Sequence, residues 1–582
     1  MTGIQTGGPR AVLREPVRGQ WLKFTAPWRV LTTRRSDEVL PLIRQVDTAV
    51  EQTGLYAVGF ISYEAASAFD PALPAGNPED FPLVWFCLFR QVHALATLAG
   101  GRSHNRPVTW QPSVTPEEYR RCFDAVKRYI QNGDTYQVNL TYRLRTSDLA
   151  DPWDFFVETF AQEPAPYAAF VDTGEWAICS ASPELFLRRE GAQVESRPMK
   201  GTAARGLWFE DDCARAATLH ASAKERAENV MIVDMVRNDL GRVALTGSVQ
   251  VPALFAVEQY PTVWQMTSTV RATTPAGFDQ ILQSSFPPAS ITGAPKRRAM
   301  EIIAELESTP RHIYTGTIGF MAPGRRAQFN VAIRTVLCRT ADRSAEYGVG
   351  GGIVWDSHPA HEQQECRTKQ QVLQPRRYDF DLLETLRWSP HAGYWLLEYH
   401  LKRLAQSAAY FGFAVELPRI RAELDSIAAG LPSAHHQIRL VVARSGAFHC
   451  RATMLEAGAL RFGDLTLART AVDANEPLLY HKTTNRHIYA HALELSPGSA
   501  DVLLFNQAGE ITESTIANVV FTINGAFCTP PVQSGLLPGT YRAWLLDQGQ
   551  ICERVVTIEQ AYQATAVYLL NSVRGLHQVR LT

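Results

Sequence analysis

At 582 residues the chain exceeds one ordinary domain, and roughly 150 residues per domain would allow about four units, fewer if the cores are large. A hydrophobic fraction of 46% with 20% charged residues excludes wholesale disorder. Lysine and arginine total 57 against 58 acidic residues, a net charge of −1, which offers no footprint for nucleic acid or an anionic membrane. No apolar run approaches the roughly 18 residues of a membrane span. The opening MTGIQTGGPRAVLREP lacks a signal-peptide centre. Nine scattered cysteines without a CxxC pair fit a reduced, cytoplasmic protein.

In chain order, strand-like runs (LYAVGFISY, YAAFV, WAICS, TGTIGFM, FNVAIRTVLC) mix with amphipathic helices (PEEYRRCFDAVKRYIQNG, AKERAENVMIVDMVRND, PKRRAMEIIAELE). The two do not alternate strictly, which predicts an α+β front part with extensive antiparallel sheet. The segment Leu98 to Pro107, with Gly100, Gly101 and Ser103, reads as an exposed loop. In QQVLQPRRYDF a charged helical pattern ends and a proline follows, placing a seam at about residue 376. The expected domains are therefore 1–375 and 376–582. The rear part should open with a helix over Leu397–Phe413 and continue with shorter strands such as QIRLVVA, DVLLF and NVVFTI.

Glu225 and Glu228 lie three apart on one helical pattern, and Glu362 and Glu365 repeat the spacing later, so each pair shares a face. Four carboxylates without histidine or cysteine suit a hard cation such as Mg²⁺. Spacing alone favours a solvated face balanced by Lys224, Arg226, Arg367 and Lys369, because acidic pairs on helices are common. The run Gly348 to Gly352 is open to two readings, a backbone nest for an anion or a flexible hairpin turn. Thr292 precedes a helix with Pro295 in its first turn, an ordinary capping pattern.

Taken in order, GFISYEAA (59–66), GDTYQVNLT (133–141), SPELF (182–186), SRPMKGT (196–202), KERAENVMIVDMVRNDLGR (224–242), TGAPK (292–296), NVAIRT (330–335) and GGGIVWDS (350–357) resemble the chorismate-utilising family. The likeness is strongest to its aminodeoxychorismate-forming branch and runs from about Trp21 through Lys369. It implies Mg²⁺ held by Glu225, Glu228, Glu362 and Glu365, and Lys200 as a nucleophile toward C2 of chorismate. Anthranilate synthases are expected to carry alanine at that position. The resemblance makes Glu184 the general acid. It sets Tyr314, Arg334, Thr292 and the amides of Gly351 and Gly352 around the substrate. Gln265 stands where the family often has histidine, so more of the proton traffic would fall on Glu184. No cysteine has the GxCxG setting of a glutamine amidotransferase, so ammonia must be free or come from a separate amidotransferase subunit.

In the rear part, LYHKTTNRHIY carries Lys482 and GEITESTIANVVF carries Glu513. EYHLKRLAQSA supplies Arg403, GLLPGTYR supplies Thr540, and LLNSVRG supplies Ser572. The set resembles the class IV pyridoxal phosphate (PLP) enzymes, a two-lobed α/β fold covering about Phe380 to Thr582. The likeness implies that Lys482 bonds the cofactor aldehyde and Glu513 faces its pyridine nitrogen. Arg403, Thr540 and Ser572 would cup its phosphate. The leading segment FDLLETLRW is abbreviated, which leaves the role of Thr385 open. Together the two halves imply 4-aminobenzoate synthesis for folate, with a rear domain able to eliminate pyruvate from the front domain's product. The competing readings are a branched-chain or D-amino acid transaminase or a non-catalytic amidotransferase platform at the rear, and an anthranilate synthase at the front. Dimerisation through the rear domain is a further expectation.

Overall fold

The structure, a computed structural model, describes residues 9–74, 80–98, 108–374, 380–456 and 462–582. The expected seam at residue 376, and the expected loop apart from Leu98, lie outside them. The chain forms two compact units. One comprises Met1–Ala204 with Ala216–Arg376, and the other comprises Arg377–Thr582 together with Arg205–Arg215.

In the front unit, eighteen of the described strands join in one hydrogen-bonded network. Its longest pairings, Gln20–Thr33 with Val84–Leu95 and Gln137–Thr146 with Ala345–Ile353, are both antiparallel. The helix Ala223–Gly241 starts at Ser222, whose hydroxyl accepts the amide of Glu225 at 3.3 Å. It buries Ile232, Val233, Val236 and Leu240 in the core shared with Phe186, Val270 and Phe286. That anchoring fixes the first two turns, where Glu225 and Glu228 sit. The helix Pro359–Gln370 carries Glu362 and Glu365 and buries only Cys366.

The glycine run is neither nest nor hairpin turn: Gly348–Gly352 is extended within the strand Ala345–Ile353. Glycine is needed there for closeness, since a Cβ on Gly348 would meet the Tyr314 ring at 2.1 Å and one on Gly350 would meet the Leu140 carbonyl at 2.2 Å. The run FNVAIRTVLC is two strands, Arg326–Val331 and Thr335–Arg339, because Arg334 takes φ +50° and breaks the ladder. Thr292 does not cap the following helix, Lys296–Leu306, whose N-cap is Pro295. Its hydroxyl instead donates back to the Ala289 carbonyl at 3.3 Å.

The rear unit has two lobes. The first packs Leu397–Phe411 and Leu417–Gly430 on a four-stranded antiparallel sheet that includes Leu382–Ser389 and His436–Val442. Its leading helix stops at Phe411 because Gly412 turns left-handed at φ +71°. The second lobe combines a three-stranded and a five-stranded sheet, with two parallel pairings, Leu465–Leu467 with Asp501–Phe505 and Ala526–Thr529 with Cys552–Glu553. Among the described residues no helix is long and apolar enough to cross a membrane.

Candidate active sites

In the front unit, a cavity of about 180 Å³ gathers residues that are up to 230 positions apart in the chain. Lys200, Glu184, Tyr314, Arg334, Gly351, Gly352, Gln265 and all four glutamates line it. Thr292 is not among the lining residues; it is fully buried behind Ser290 and Ile291, which are.

Lys200 lies on the strand Met199–Ala204. Burial holds its ammonium below the usual lysine range, Glu228 opposes that shift, and Lys369 adds to it. A neutral amine, the nucleophilic form, is thereby brought within reach. The strand is fixed from behind by Asn229, which donates to the Lys200 carbonyl at 3.3 Å and accepts from the Ser268 hydroxyl at 2.5 Å. The next residue, Gly201, takes φ +98° and faces Met266 and Glu225 closely, so a side chain there would be strained as well as crowded.

Glu184 accepts a hydrogen bond from Ser290 Oγ at 2.6 Å. Burial pushes its carboxyl up to about 7, against the pull of Ser290 and Lys200. A carboxyl poised there can donate a proton near neutrality and take it back. Arg334 lines the cavity, with its charge disfavoured by burial. An incoming carboxylate would relieve that cost. The Tyr314 ring is held between the Gly348 backbone and the Arg143 guanidinium, 5.0 Å from its centroid. Gln265 accepts from the Thr202 hydroxyl at 3.3 Å.

The four glutamates divide by environment. Burial raises Glu225, Glu228 and Glu362; the Ser357 hydroxyl, 2.7 Å away, opposes the shift at Glu362. Glu365 is held low by Lys369 at 2.7 Å, and Lys369 also donates to the Gly350 carbonyl at 2.7 Å. Among the described residues no three acidic, histidine or cysteine side chains converge at ligand distance. Magnesium needs only one or two protein carboxylates and keeps its waters, so this oxygen-only donor set fits it.

In the rear unit a second cavity, about 260 Å³, is lined by Lys482, Glu513, Arg403, Thr540, Ser572 and Thr385. Burial first, then Arg403, lowers Lys482 to about 8. Glu513 accepts from the Tyr489 hydroxyl at 2.8 Å, the Leu537 amide at 3.1 Å and the Asn518 amide group at 3.1 Å. Burial still raises it to about 7. Asn518 packs so closely that a Cβ on Gly539 would lie 1.9 Å from its oxygen. Thr540 begins the helix Thr540–Asp547, whose free amides suit a phosphate. Ser572 donates to the Thr385 carbonyl at 3.4 Å.

Arg403 is clamped by Glu384, which accepts from its Nε at 2.9 Å and its Nη2 at 2.7 Å. His400 adds a ring nitrogen 2.6 Å from Glu384, and its other nitrogen lies 3.3 Å from the Thr540 hydroxyl. Only Nη1 of Arg403, which donates to the Pro538 carbonyl at 3.3 Å, lies outside that clamp. Asn229 and Ser290 at the front, and Glu384, His400, Tyr489 and Asn518 at the rear, have no role legible in the sequence. Apart from Asn518, five positions from Glu513, their contacts join residues 16 or more positions apart, which spacing does not carry. Lys369 stands in the sequence only as a counter-charge.

The profile of chorismate-binding enzymes matches residues 8–375. The chain belongs to the chorismate-binding enzymes. Behind that domain, residues 381–581 match the class IV aminotransferases. Aminodeoxychorismate synthase component 1 of Escherichia coli is 42% identical over 263 residues, 45% of this chorismate-binding chain and 57% of the relative. That of Bacillus subtilis is 40% identical over 262 residues, 45% of this chain and 55% of the relative. The chain thus spans little more than half the length of these relatives. Among solved structures, anthranilate synthase component I from Streptococcus pneumoniae shares the fold, with a TM-score of 0.52 and 23% identity over 64% of this chain and 94% of that one.

The rear cavity's residues also fit PLP. A buried lysine lowered to about 8, a triply anchored carboxyl and a helix start all face one space.

Proposed function

We propose that the front unit converts chorismate and ammonia to 4-amino-4-deoxychorismate, and that the rear unit eliminates pyruvate from this product to give 4-aminobenzoate. The observation that carries the proposal is a lysine amine with depressed basicity, Lys200, in one cavity with a carboxyl raised to about 7, Glu184.

Lys200 Nζ attacks C2 of the ring while Glu184 protonates the departing C4 hydroxyl, which leaves as water. Ammonia then bonds to C4, the double bonds shift, the C2–Nζ bond breaks and Lys200 is released. Arg334 and Tyr314 orient the enolpyruvyl side. One or two of Glu225, Glu228, Glu362 and Glu365 would hold Mg²⁺ with its waters, and the ion would offset the charge of the ring carboxylate. The relatives are named component 1, which supports a separate second component, and for this chain that subunit would supply ammonia from glutamine.

At the rear, PLP would supply an electron sink. Lys482 would hold its aldehyde, Glu513 its pyridine nitrogen, and Thr540, Ser572 and the Nη1 edge of Arg403 its phosphate; once the substrate amine has displaced Lys482 from the aldehyde, the freed Lys482 amine would take the proton from ring carbon C4. Loss of that proton and of enolpyruvate from C3 leaves an aromatic ring.

The test is purified protein with chorismate, ammonium, Mg²⁺ and PLP, followed by product identification. 4-Aminobenzoate is expected without an added lyase. Lys482→Ala should stop at aminodeoxychorismate, and Lys200→Ala should abolish it. Undiminished 4-aminobenzoate from Lys200→Ala would refute the nucleophile, and anthranilate as product would refute the front assignment. Consumption of 2-oxo acids in place of pyruvate release would make the rear unit a transaminase.

A further inference from the structure

The rear unit is built from two stretches of chain, and the smaller, Arg205–Arg215, lies outside the class IV match at 381–581. It is tied internally by hydrogen bonds. Asp212 accepts from the Gly206 amide and from Arg205 Nε, both at 2.8 Å, and from Arg205 Nη2 at 2.7 Å. Asp211 accepts from the Leu207 amide at 3.2 Å. A Cβ on Gly206 would stand 2.2 Å from the Asp212 nitrogen, so only glycine allows the loop to fold this tightly on the helix start.

This loop is keyed to the residues that lead into Lys482. Arg205 donates to the Tyr410 carbonyl at 2.8 Å and lies 4.5 Å over the Tyr410 ring. The Tyr410 hydroxyl donates back to the Gly206 carbonyl at 2.7 Å. Trp208 stacks on Tyr480, with centroids 5.4 Å apart and 29° between planes. Tyr410 in turn lies 4.4 Å from the His481 ring, whose Nδ1 is 3.0 Å from Ser407 Oγ. Tyr480 and His481 are 1% and 5% exposed, so what holds them holds the peptide entering Lys482. On the far side, the Lys482 carbonyl accepts the Leu383 amide at 3.0 Å. Burial keeps His481 neutral at about 3; the Leu207 backbone opposes that shift and the Arg205 charge adds to it. The loop thus abuts an uncharged neighbour of the lysine.

We propose that Arg205 and Trp208 are positioning residues for the rear active site, setting Lys482 through Tyr480 and His481. The proposal rests on the reading of Lys482 as the cofactor lysine. The front domain's own sequence therefore supplies part of the rear site's support.

The test titrates full-length wild type, Trp208→Ala, Trp208→Phe and Arg205→Gln with PLP, reading affinity and the visible band of the lysine-bound cofactor. Trp208→Ala and Arg205→Gln should weaken binding about tenfold or more, on the scale of one lost aromatic or charged contact. Trp208→Phe, which keeps an aromatic face, should stay within about threefold of wild type. Chorismate consumption with ammonium and Mg²⁺, measured without PLP, should be retained in Trp208→Ala. That result separates a positioning effect from general misfolding, and if consumption is lost, Arg205→Gln decides the question. Wild-type PLP affinity in Arg205→Gln or in folded Trp208→Ala would overturn the proposal. Failure of wild type to bind PLP would instead sink the underlying reading of Lys482.

Discussion

Two carboxyls with opposite fates show how burial is turned to different ends by neighbours. Glu184 is raised to about 7 because one serine hydrogen bond does not offset its desolvation. In the proposed reaction Glu184 must be protonated and Lys200 neutral, so the pH–rate profile should be bell-shaped, with one limb set by Glu184 at about 7. Glu184→Gln should lower the front rate roughly a hundred- to ten-thousand-fold and remove that limb. An unchanged limb would assign it to another group. Burial would raise Glu384 as well, but Arg403 and His400 hold it down at about 2 against an ordinary 4.5. A depressed folded pKa contributes stability that is present above the unfolded value and is lost as pH falls toward the folded one. The rear unit should therefore weaken between about pH 4.5 and 2. Glu384→Gln should destabilise it by about 3 kcal/mol at neutral pH, by leaving Arg403 buried and unpaired, and should flatten that acid dependence in denaturant titrations.

At the scale of elements, the strand Ala345–Ile353 shows what glycine does here. Its Gly348 gives the Tyr314 ring room to lie against the sheet, where a Cβ would overlap it at 2.1 Å. Gly348→Ala should displace Tyr314, cost about 1–3 kcal/mol in unfolding free energy and raise the KM for chorismate more than it lowers kcat. A wild-type KM would mean that Tyr314 does not bind the substrate. The glycine run was legible as a place of close approach, but its extended form was not, because the Tyr314 ring that demands it lies 34 positions upstream. Similarly, NVAIRT reads as continuous strand by composition. The break at Arg334 is set by tertiary packing, which places this residue at the cavity at the expense of a left-handed backbone. The paired glutamates and Lys200 were legible through long motifs, whereas the roles of Asn229, inside one of those motifs and bonded to the Lys200 carbonyl, and of Ser290, bonded to Glu184, were not, because each is set by a contact distant in the chain.

At the scale of the molecule, a net charge of −1 would place the attraction for the proposed dianionic substrate in local groups, Arg334 and the proposed cation. The same neutral composition conceals where the second unit begins. Nothing in RGLWFEDDCAR marks it as foreign to the front part, because its ties to Tyr410 and Tyr480 span about 200 to 270 positions. Ligand linkage can reveal which unit a segment belongs to, since a ligand stabilises what unfolds with its site. PLP at a hundredfold excess over its Kd adds about 2.7 kcal/mol, which slows exchange through global opening about a hundredfold. Hydrogen exchange on the full chain should then show peptides covering 205–215 gaining protection on PLP addition in step with those covering 478–484. Peptides from Ala223–Gly241 should not respond to PLP. If 205–215 instead ignored PLP and followed the helix that comes after it, the segment would open with the front unit, and the rear lysine would stand without it.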